Sequence, residues 1–295
     1  MLVSIIIPVH QLLPYFKKCV ESALSQTHHD LEIIIGCNGN LEISECKIFL
    51  NAKDDRLIFI KTAQGRHIAR NKALAIAKGD YIQFLDYDDV LYKTKIEVQI
   101  NSIKTGTEIA IVKWKKFTED VSEDYKFPFE IIFEKQQITS NELLFLFGKS
   151  NGFLATISFL YPKKLLQGIL WVDAPNDDAV FFSQVIQKNS AFILINQTLS
   201  GYRVHSGNTS SKRSEAELDK LIFAWNQIEK NLKIFPGKVK NLYFYNAYLE
   251  LFKLSGAISS KINLYLLKRC CGFALKSKNS IYKLIQIFKL FCNAF

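Results

Sequence analysis

The chain has 295 residues, 48% of them apolar and 22% charged, with a formal net charge of +10. That length supports one substantial core, or a core with a smaller helical annex. No low-complexity run or solenoid-period repeat is present, and no stretch reaches the roughly 18 uncharged apolar residues that span a bilayer.

Leu2–Val9 is apolar, but no basic region precedes it, Pro8 interrupts it and no small-residue cleavage site follows, so it is not read as a secretion signal. Val3–Val9 is instead a continuous β-branched run, the pattern of a strand covered on both faces. Pro14 suits a helix's first turn, and Tyr15, Cys19, Val20, Ala23 and Leu24 recur at helical spacing through Gln26. Leu31–Ile35 reads as a second strand ending in the turn-rich Gly36–Asn40. Leu57–Ile60 is a third, Ile68–Ala77 an Ala-rich helix closed by Lys78 and Gly79, and Tyr81–Leu85 a fourth strand. Strands separated by helices argue a parallel α/β sheet, whose right-handed crossovers place ligands at the strands' carboxyl ends. Two segments stand there: Gly36–Asn40 and Asp86–Asp89.

Beyond residue 100 the pattern is less regular. Ile109–Trp114, Thr156–Tyr161 and Ala191–Ile195 look like strands, and Asp178–Lys188 like a helix. From about Ser214 onward the signal is all helical, with a boundary placed near residues 206–214. The expected division is therefore 1–210 for the α/β domain and 211–295 for a basic, aromatic, helical C-terminal region. Most of the positive surplus lies in that last third, interleaved with Phe, Leu, Tyr and Ile. Such mixing suggests an anionic membrane surface; a solvated Lys-rich face reads equally well. Ile281, Leu284, Ile285, Phe288 and Phe291 share a helical face that suits either an interface or packing on the same domain. No nucleic-acid reader motif accompanies the charge, so nucleic acid is not expected as a partner. The six cysteines show no metal-binding spacing and read as reduced thiols of a cytoplasmic protein.

Phe84-Leu-Asp86-Tyr-Asp88-Asp89 puts three carboxylates directly after a buried strand. In extended backbone residues two apart share a face, so Asp86 and Asp88 point together and repel. A hard divalent cation relieves that repulsion while leaving positions open for substrate phosphates. An isolated Asp-rich loop is more often a solvated turn; its place at the end of a sheet strand favours the site.

Val3–Val9, Ser22–Thr27, Leu31–Ile35, Ala69-Arg-Asn71 and Gly79–Asp89 follow one another in an order and spacing that resemble glycosyltransferase family 2. These are inverting enzymes of the GT-A fold, a Rossmann-like mixed sheet flanked by helices. The likeness is strong over residues 1–100, with anchors to about 210. It implies that Asp86 and Asp88, with Asp89 adjoining, form a DxD motif binding Mn²⁺ or Mg²⁺ and the donor's diphosphate. It implies that Arg70 and Asn71 lie near the nucleotide, and Pro8 and Val9 beside its base. The family usually has two acids after strand two where this chain has Cys37-Asn38. Asn38 offers both a donor and an acceptor to a base edge, so a UDP-sugar is expected while the base stays open.

The cluster Asp173–Phe182 resembles the family's acidic pair at a helix start, which makes Asp178 the base that deprotonates the acceptor hydroxyl and Asp177 an acceptor-binding residue. Asp at helix starts also serves as a cap. Tyr202–His205 matches a position where some members use His as a further metal ligand; a structural His205 is the alternative. Arg203 either neutralises phosphate or pairs with Asp177, and Trp171 either stacks on an acceptor sugar or belongs to the core. The resemblance thus implies a nucleotide-sugar donor and a glycan or lipid-linked acceptor in lipopolysaccharide, O-antigen or capsule assembly. It places the enzyme in the cytoplasm, peripheral at the membrane's inner face. The competing readings are a non-catalytic nucleotide-sugar or glycan-binding module, and a nucleotidyltransferase. The latter wants a Gly-rich loop after strand one, where the chain has His10-Gln-Leu-Leu-Pro14.

Overall fold

The computed structural model describes all residues except 52, 119–125, 189, 206–213, 256–259 and 294–295. It divides into two compact units. The expected boundary near 206–214, and with it the 210/211 division, falls outside the described residues.

The first unit comprises Met1–Ile138, Leu154–Asp173 and Ser190–Ser206. Its strands and helices run β1 (Val3–Val9), α1 (Pro14–Leu24), β2 (Leu31–Asn38), α2 (Ile43–Leu50), β3 (Leu57–Thr62), α3 (Arg66–Ile76), β4 (Tyr81–Phe84), β5 (Val90–Leu91), α4 (Lys95–Ser102), β6 (Ile109–Phe117), β7 (Gln137–Thr139), β8 (Phe159–Pro162) and β9 (Ala191–Arg203). The sheet order is β3-β2-β1-β4-β8-β6-β9-β5, with β7 also on β9. β1 to β4 pair in parallel. β8 runs antiparallel to β4 and β6, β6 parallel to β9, and β5 antiparallel to β9. The sheet is therefore mixed rather than wholly parallel.

Every residue of β1 and β2 is buried, the result of helices covering both faces of a parallel sheet. A buried polar knot ties the starts of these strands together. Ser4 Oγ donates to Glu32 Oε1 at 2.5 Å, and Gly79 N–H donates to Ser4 Oγ at 2.8 Å. A Cβ on Gly79 would lie 2.5 Å from the Ser4 nitrogen, so only glycine fits there. With their starts pinned, the carboxyl ends of β1, β2 and β4 emerge together at the opposite edge.

β9 is longer than the apolar run Ala191–Ile195 implies. Register shifts where it passes Lys113 let it absorb the polar residues Asn196 and Gln197 and continue to Arg203. That extension carries Arg203 and His205 to the carboxylate loop.

The second unit comprises Thr139–Phe153, Ala174–Asn189 and Gly207–Phe295. Among its described residues it is helical: α5 (Ser140–Ser150), α6 (Asp177–Ile186), α7 (Glu215–Asn231), α8 (Gly237–Ser255), α9 (Ser260–Leu275) and α10 (Ser280–Asn293). α5 and α7 each begin with a capping box, Thr139 with Glu142 and Ser214 with Glu217. Phe244, Tyr248 and Phe273 stack where α8 meets α9. Among the described residues no helix is long and apolar enough to cross a membrane.

Lys95 of α4 is wholly buried in the first unit, and its ammonium nitrogen donates to Gln83 Oε1 and, at 2.6 Å, to Gln99 Oε1. Burial holds its pKa well below the ordinary lysine value. The unfolded chain keeps this proton up to about pH 10.4, whereas the fold binds it more weakly, so folding gains stability as pH rises toward that value. Urea titrations should show wild-type stability climbing, relative to Lys95→Met, as pH rises toward about pH 10.4. A constant difference would mean that the amine stays charged inside the fold.

Candidate active site

The acidic loop begins where β4 ends. Leu85 N–H donates to Ile6 O at 2.9 Å, and Asp89 N–H to Asp86 O at 3.0 Å, closing a tight turn over Asp86–Asp89. Each carboxylate in it has a different partner. Asp86, about a third exposed, is paired with the buried guanidinium of Arg70. That guanidinium lies 4.1 Å from the centre of the Trp171 ring, a cation–π contact. Asp88 Oδ2 lies 2.9 Å from His205 Nε2. Asp89, 2% exposed, accepts from the Arg203 backbone N–H at 2.8 Å.

Arg203 is the hub behind the loop. Its Nε donates to Asp88 O at 2.8 Å and its Nη1 to Thr118 O at 2.7 Å. Its guanidinium is sandwiched between the Tyr15 and Phe117 rings, at 4.6 and 4.3 Å. Tyr15 also meets the His205 ring, at 5.3 Å between centroids. The sequence suggests Arg203 as a phosphate neutraliser or a partner of Asp177; its hold on the loop follows from the β6–β9 pairing, which no sequence signal displays.

The electrostatics follow from crowding. Burial pushes the Asp88 pKa up, the Asp86 charge adds to that, and the His205 hydrogen bond works against it. Burial drives Asp89 well above the usual carboxylate range, with Asp88 and Asp86 contributing in the same direction. His10, at the end of β1, is lowered by burial, although Asp88 opposes the shift. The loop thus holds more negative charge than its own surroundings relieve. Among the described residues no group of three or more His, Cys, Asp or Glu side chains is placed to hold a metal ion.

Several residues expected at the nucleotide have structural tasks. Asn38 is 4% exposed; its Nδ2 donates to Val9 O at 3.0 Å and its Oδ1 accepts from Gly65 N–H at 3.4 Å. Its amide therefore joins β1, β2 and the entry to α3 instead of presenting both groups to a base. Gly65 has φ +131°, a conformation that side chains rarely adopt. Asn71 bonds both ways with the Trp171 backbone, Nδ2 to O and N–H to Oδ1, each at 2.9 Å. Trp171 is 3% exposed, with its ring against Arg70 and edge-on to Phe84 at 5.0 Å, so it is a core residue and has no face free for a sugar. Pro8 and Val9 are buried opposite Gly36 and Cys37, and the Cys37 and Cys46 sulfurs are 3.0 Å apart.

Asp177 and Asp178 belong to the second unit, in the first turn of α6, where the helix dipole favours negative charge. The N-cap position is Asn176, not either aspartate. Asp177 is buried; Asp178 is half-buried, and its Oδ1 accepts from Ala179 N–H at 2.8 Å. In the same unit, burial and the Asp178 charge together raise the Tyr243 pKa. The structure thus brings Asp86, Asp88, Asp89, Arg70, Arg203 and His205 together in the first unit, with Asp178 heading a helix of the other.

The Asn71 strap is open to test. Asn71→Ala removes two hydrogen bonds and strands two backbone groups of Trp171, so urea unfolding should report a loss of about 2 kcal/mol. Activity should fall only as far as the Arg70–Trp171 stack loosens.

Known proteins similar to this chain point to one family. The profile of Glycosyl transferase family 2 matches residues 4–170. The chain is 24% identical over 278 residues to glycosyltransferase GlyA of Streptococcus pneumoniae serotype 4, covering 87% of this chain and 38% of that one. It is 46% identical over 106 residues to the Escherichia coli UDP-Glc:alpha-D-GlcNAc-diphosphoundecaprenol beta-1,3-glucosyltransferase WfaP, covering 35% of this chain and 42% of that one. The chain thus spans about two fifths of the length of both relatives. In fold it is similar to S. aureus TarS 1-349, solved with UDP-GlcNAc: the TM-score is 0.71 at 13% identity, covering all of this chain and 90% of that one. The family profile spans more than half of the chain and the sheet has the GT-A arrangement, so this protein belongs to Glycosyl transferase family 2.

Proposed function

We propose that the chain moves a sugar from a UDP-sugar to a hydroxyl of a glycan or lipid-linked glycan, inverting the anomeric centre, in the assembly of a lipopolysaccharide, O-antigen or capsule glycan. The observation that carries this reading is the Asp86–Asp89 loop, whose crowded carboxylates are held at the sheet's carboxyl edge by Arg70, Arg203 and His205. Two relatives support the donor and acceptor classes: TarS was solved with UDP-GlcNAc, and WfaP is named for UDP-Glc and a diphosphoundecaprenol-linked GlcNAc. A lipid-linked acceptor puts the reaction at a membrane surface, on the cytoplasmic side of the plasma membrane.

The carboxylates of Asp86 and Asp88 fit Mn²⁺ or Mg²⁺ held together with the donor's diphosphate, two protein ligands instead of a cage. Asp88 is pushed toward protonation by burial and by Asp86, the strain that a divalent cation relieves. Asp88 and Asp86 would supply oxygens, and His205, hydrogen-bonded to Asp88, stands beside them as a nitrogen that would suit Mn²⁺. Such an ion supplies charge stabilisation to the departing nucleoside diphosphate. The chain's own side chains do the remaining work. Arg70 holds Asp86 in one orientation, and Arg203 fixes the loop backbone through Asp88 O. Pro8 and Val9 border the base. Asp178 takes the proton of the acceptor hydroxyl as that oxygen attacks the anomeric carbon and the bond to the diphosphate breaks; a sugar hydroxyl is a poor nucleophile without such a base. The matched family region ends at residue 170, so the role of Asp178 rests on the sequence resemblance, and that of His205 on the resemblance and its contact with Asp88.

Transfer from UDP-, GDP- and dTDP-sugars to a GlcNAc-diphospholipid, with Mn²⁺, Mg²⁺ or EDTA, should succeed with UDP-sugars and a cation. Asp178→Asn should lower turnover by about a hundred-fold or more while donor binding by calorimetry is unchanged. Retained turnover would remove Asp178 from the role of base, and equal turnover in EDTA would remove the cation.

A further inference from the structure

The chain's positive charge is concentrated in one place. Residues 233–295 contain eleven Lys and Arg against a single acid, Glu250, and the remaining residues balance at 27 of each sign. The whole net charge of +10 therefore resides in this segment, and Glu250 is itself paired with Lys253.

The same segment leaves apolar side chains outside. α10 packs inward through Ile287 and Lys283, whose Nζ donates to Ser277 Oγ at 2.6 Å and Lys278 O at 2.7 Å. Tyr245 OH donates to Gln286 from the same side, at 3.1 Å. The opposite face carries Ile281, Ile285 and Phe288 at helical spacing, with Ile281 75% and Phe288 67% exposed. Exposed Tyr282 and Lys289 flank this stripe. α9 repeats the pattern with exposed Leu264, Lys268 and Leu275 on one face, and exposed Lys276 and Lys278 follow in the turn.

We propose that the outer faces of α9 and α10 form a docking surface for an anionic lipid bilayer. An apolar stripe bordered by lysines lets the side chains enter the acyl boundary while the ammonium groups stay at the headgroups. Nucleic acid would use the charge but leave Ile281, Ile285 and Phe288 in water. A second copy of the chain would bring like charge against like. α10 exposes its apolar stripe on one face and buries Lys283 and Ile287 on the other, the one-sided pattern of a helix that lies in the surface. Tyr282, beside the stripe, has the ring-and-hydroxyl character suited to the headgroup level. This deepens the lipid-linked acceptor reading by naming the surface that meets the membrane, yet its test needs neither donor nor acceptor, so the two can fail separately.

The test is flotation of the full chain with phosphatidylcholine vesicles and with vesicles containing about a third phosphatidylglycerol. The wild type should float with the anionic vesicles only, and less so as salt rises. Ile285→Ser with Phe288→Ser should weaken binding by about ten-fold or more, and charge reversal at Lys276, Lys278 and Lys289 by roughly five-fold per lysine. Circular dichroism should show both variants folded, because every substituted side chain is exposed. Equal binding to neutral vesicles would overturn the proposal, as would binding that neither variant weakens. Stripe-dependent dimers in sedimentation velocity without vesicle binding, or salt-sensitive capture of RNA without vesicle binding, would also overturn it.

Discussion

The rest of the site depends on confining three carboxylates to four residues at the end of β4. Like charges so close would push the turn open or take up protons, and the chain prevents the first by giving each aspartate its own partner. Arg70 takes Asp86, His205 takes Asp88, and the Arg203 backbone takes Asp89. The second tendency remains, since burial and mutual repulsion still raise Asp88 and Asp89. A loop that is fixed in place but short of positive charge is what the proposed cation and diphosphate would require.

Fixing that loop accounts for features elsewhere in the first unit. Arg203 reaches it because β9 runs well past its apolar stretch, and the bulges opposite Lys113 make that length possible. Arg70 reaches it because α3 packs close to the sheet, with Ala69 against Gly36. Trp171 backs Arg70, and Asn71 anchors the Trp171 backbone. The polar knot of Ser4, Glu32 and Gly79 holds the strand starts, so the strand ends stay aligned.

The amino-acid sequence reveals the parallel half of the sheet almost residue by residue, because buried β-branched runs leave little ambiguity. It reveals less of α2, which is short, and of α5; the capping boxes at Glu42 with Glu45 and Thr139 with Glu142 mark their starts in the structure. Asp86, Asp88, Arg70 and His205 stand out in the sequence as candidates, and the structure places them in one neighbourhood. Asn38 and Asn71 were not legible in the same way. An amide that meets a base and one that meets backbone look alike in sequence, and the Asn71 partner lies 100 residues away. Trp171 likewise turns out to face a guanidinium within the core. Asp177 and Asp178 were visible as the start of a helix, which they are, in the second unit.

Calorimetric titration of UDP into the full chain, with Mn²⁺ and then with EDTA, tests the central claim most directly, because it reads the acidic loop without needing the acceptor. The account expects UDP to bind with Mn²⁺ and to weaken by at least about ten-fold in EDTA, with Asp88→Asn losing that difference. Equal UDP affinity in both conditions, or an unchanged cation effect in Asp88→Asn, would contradict it.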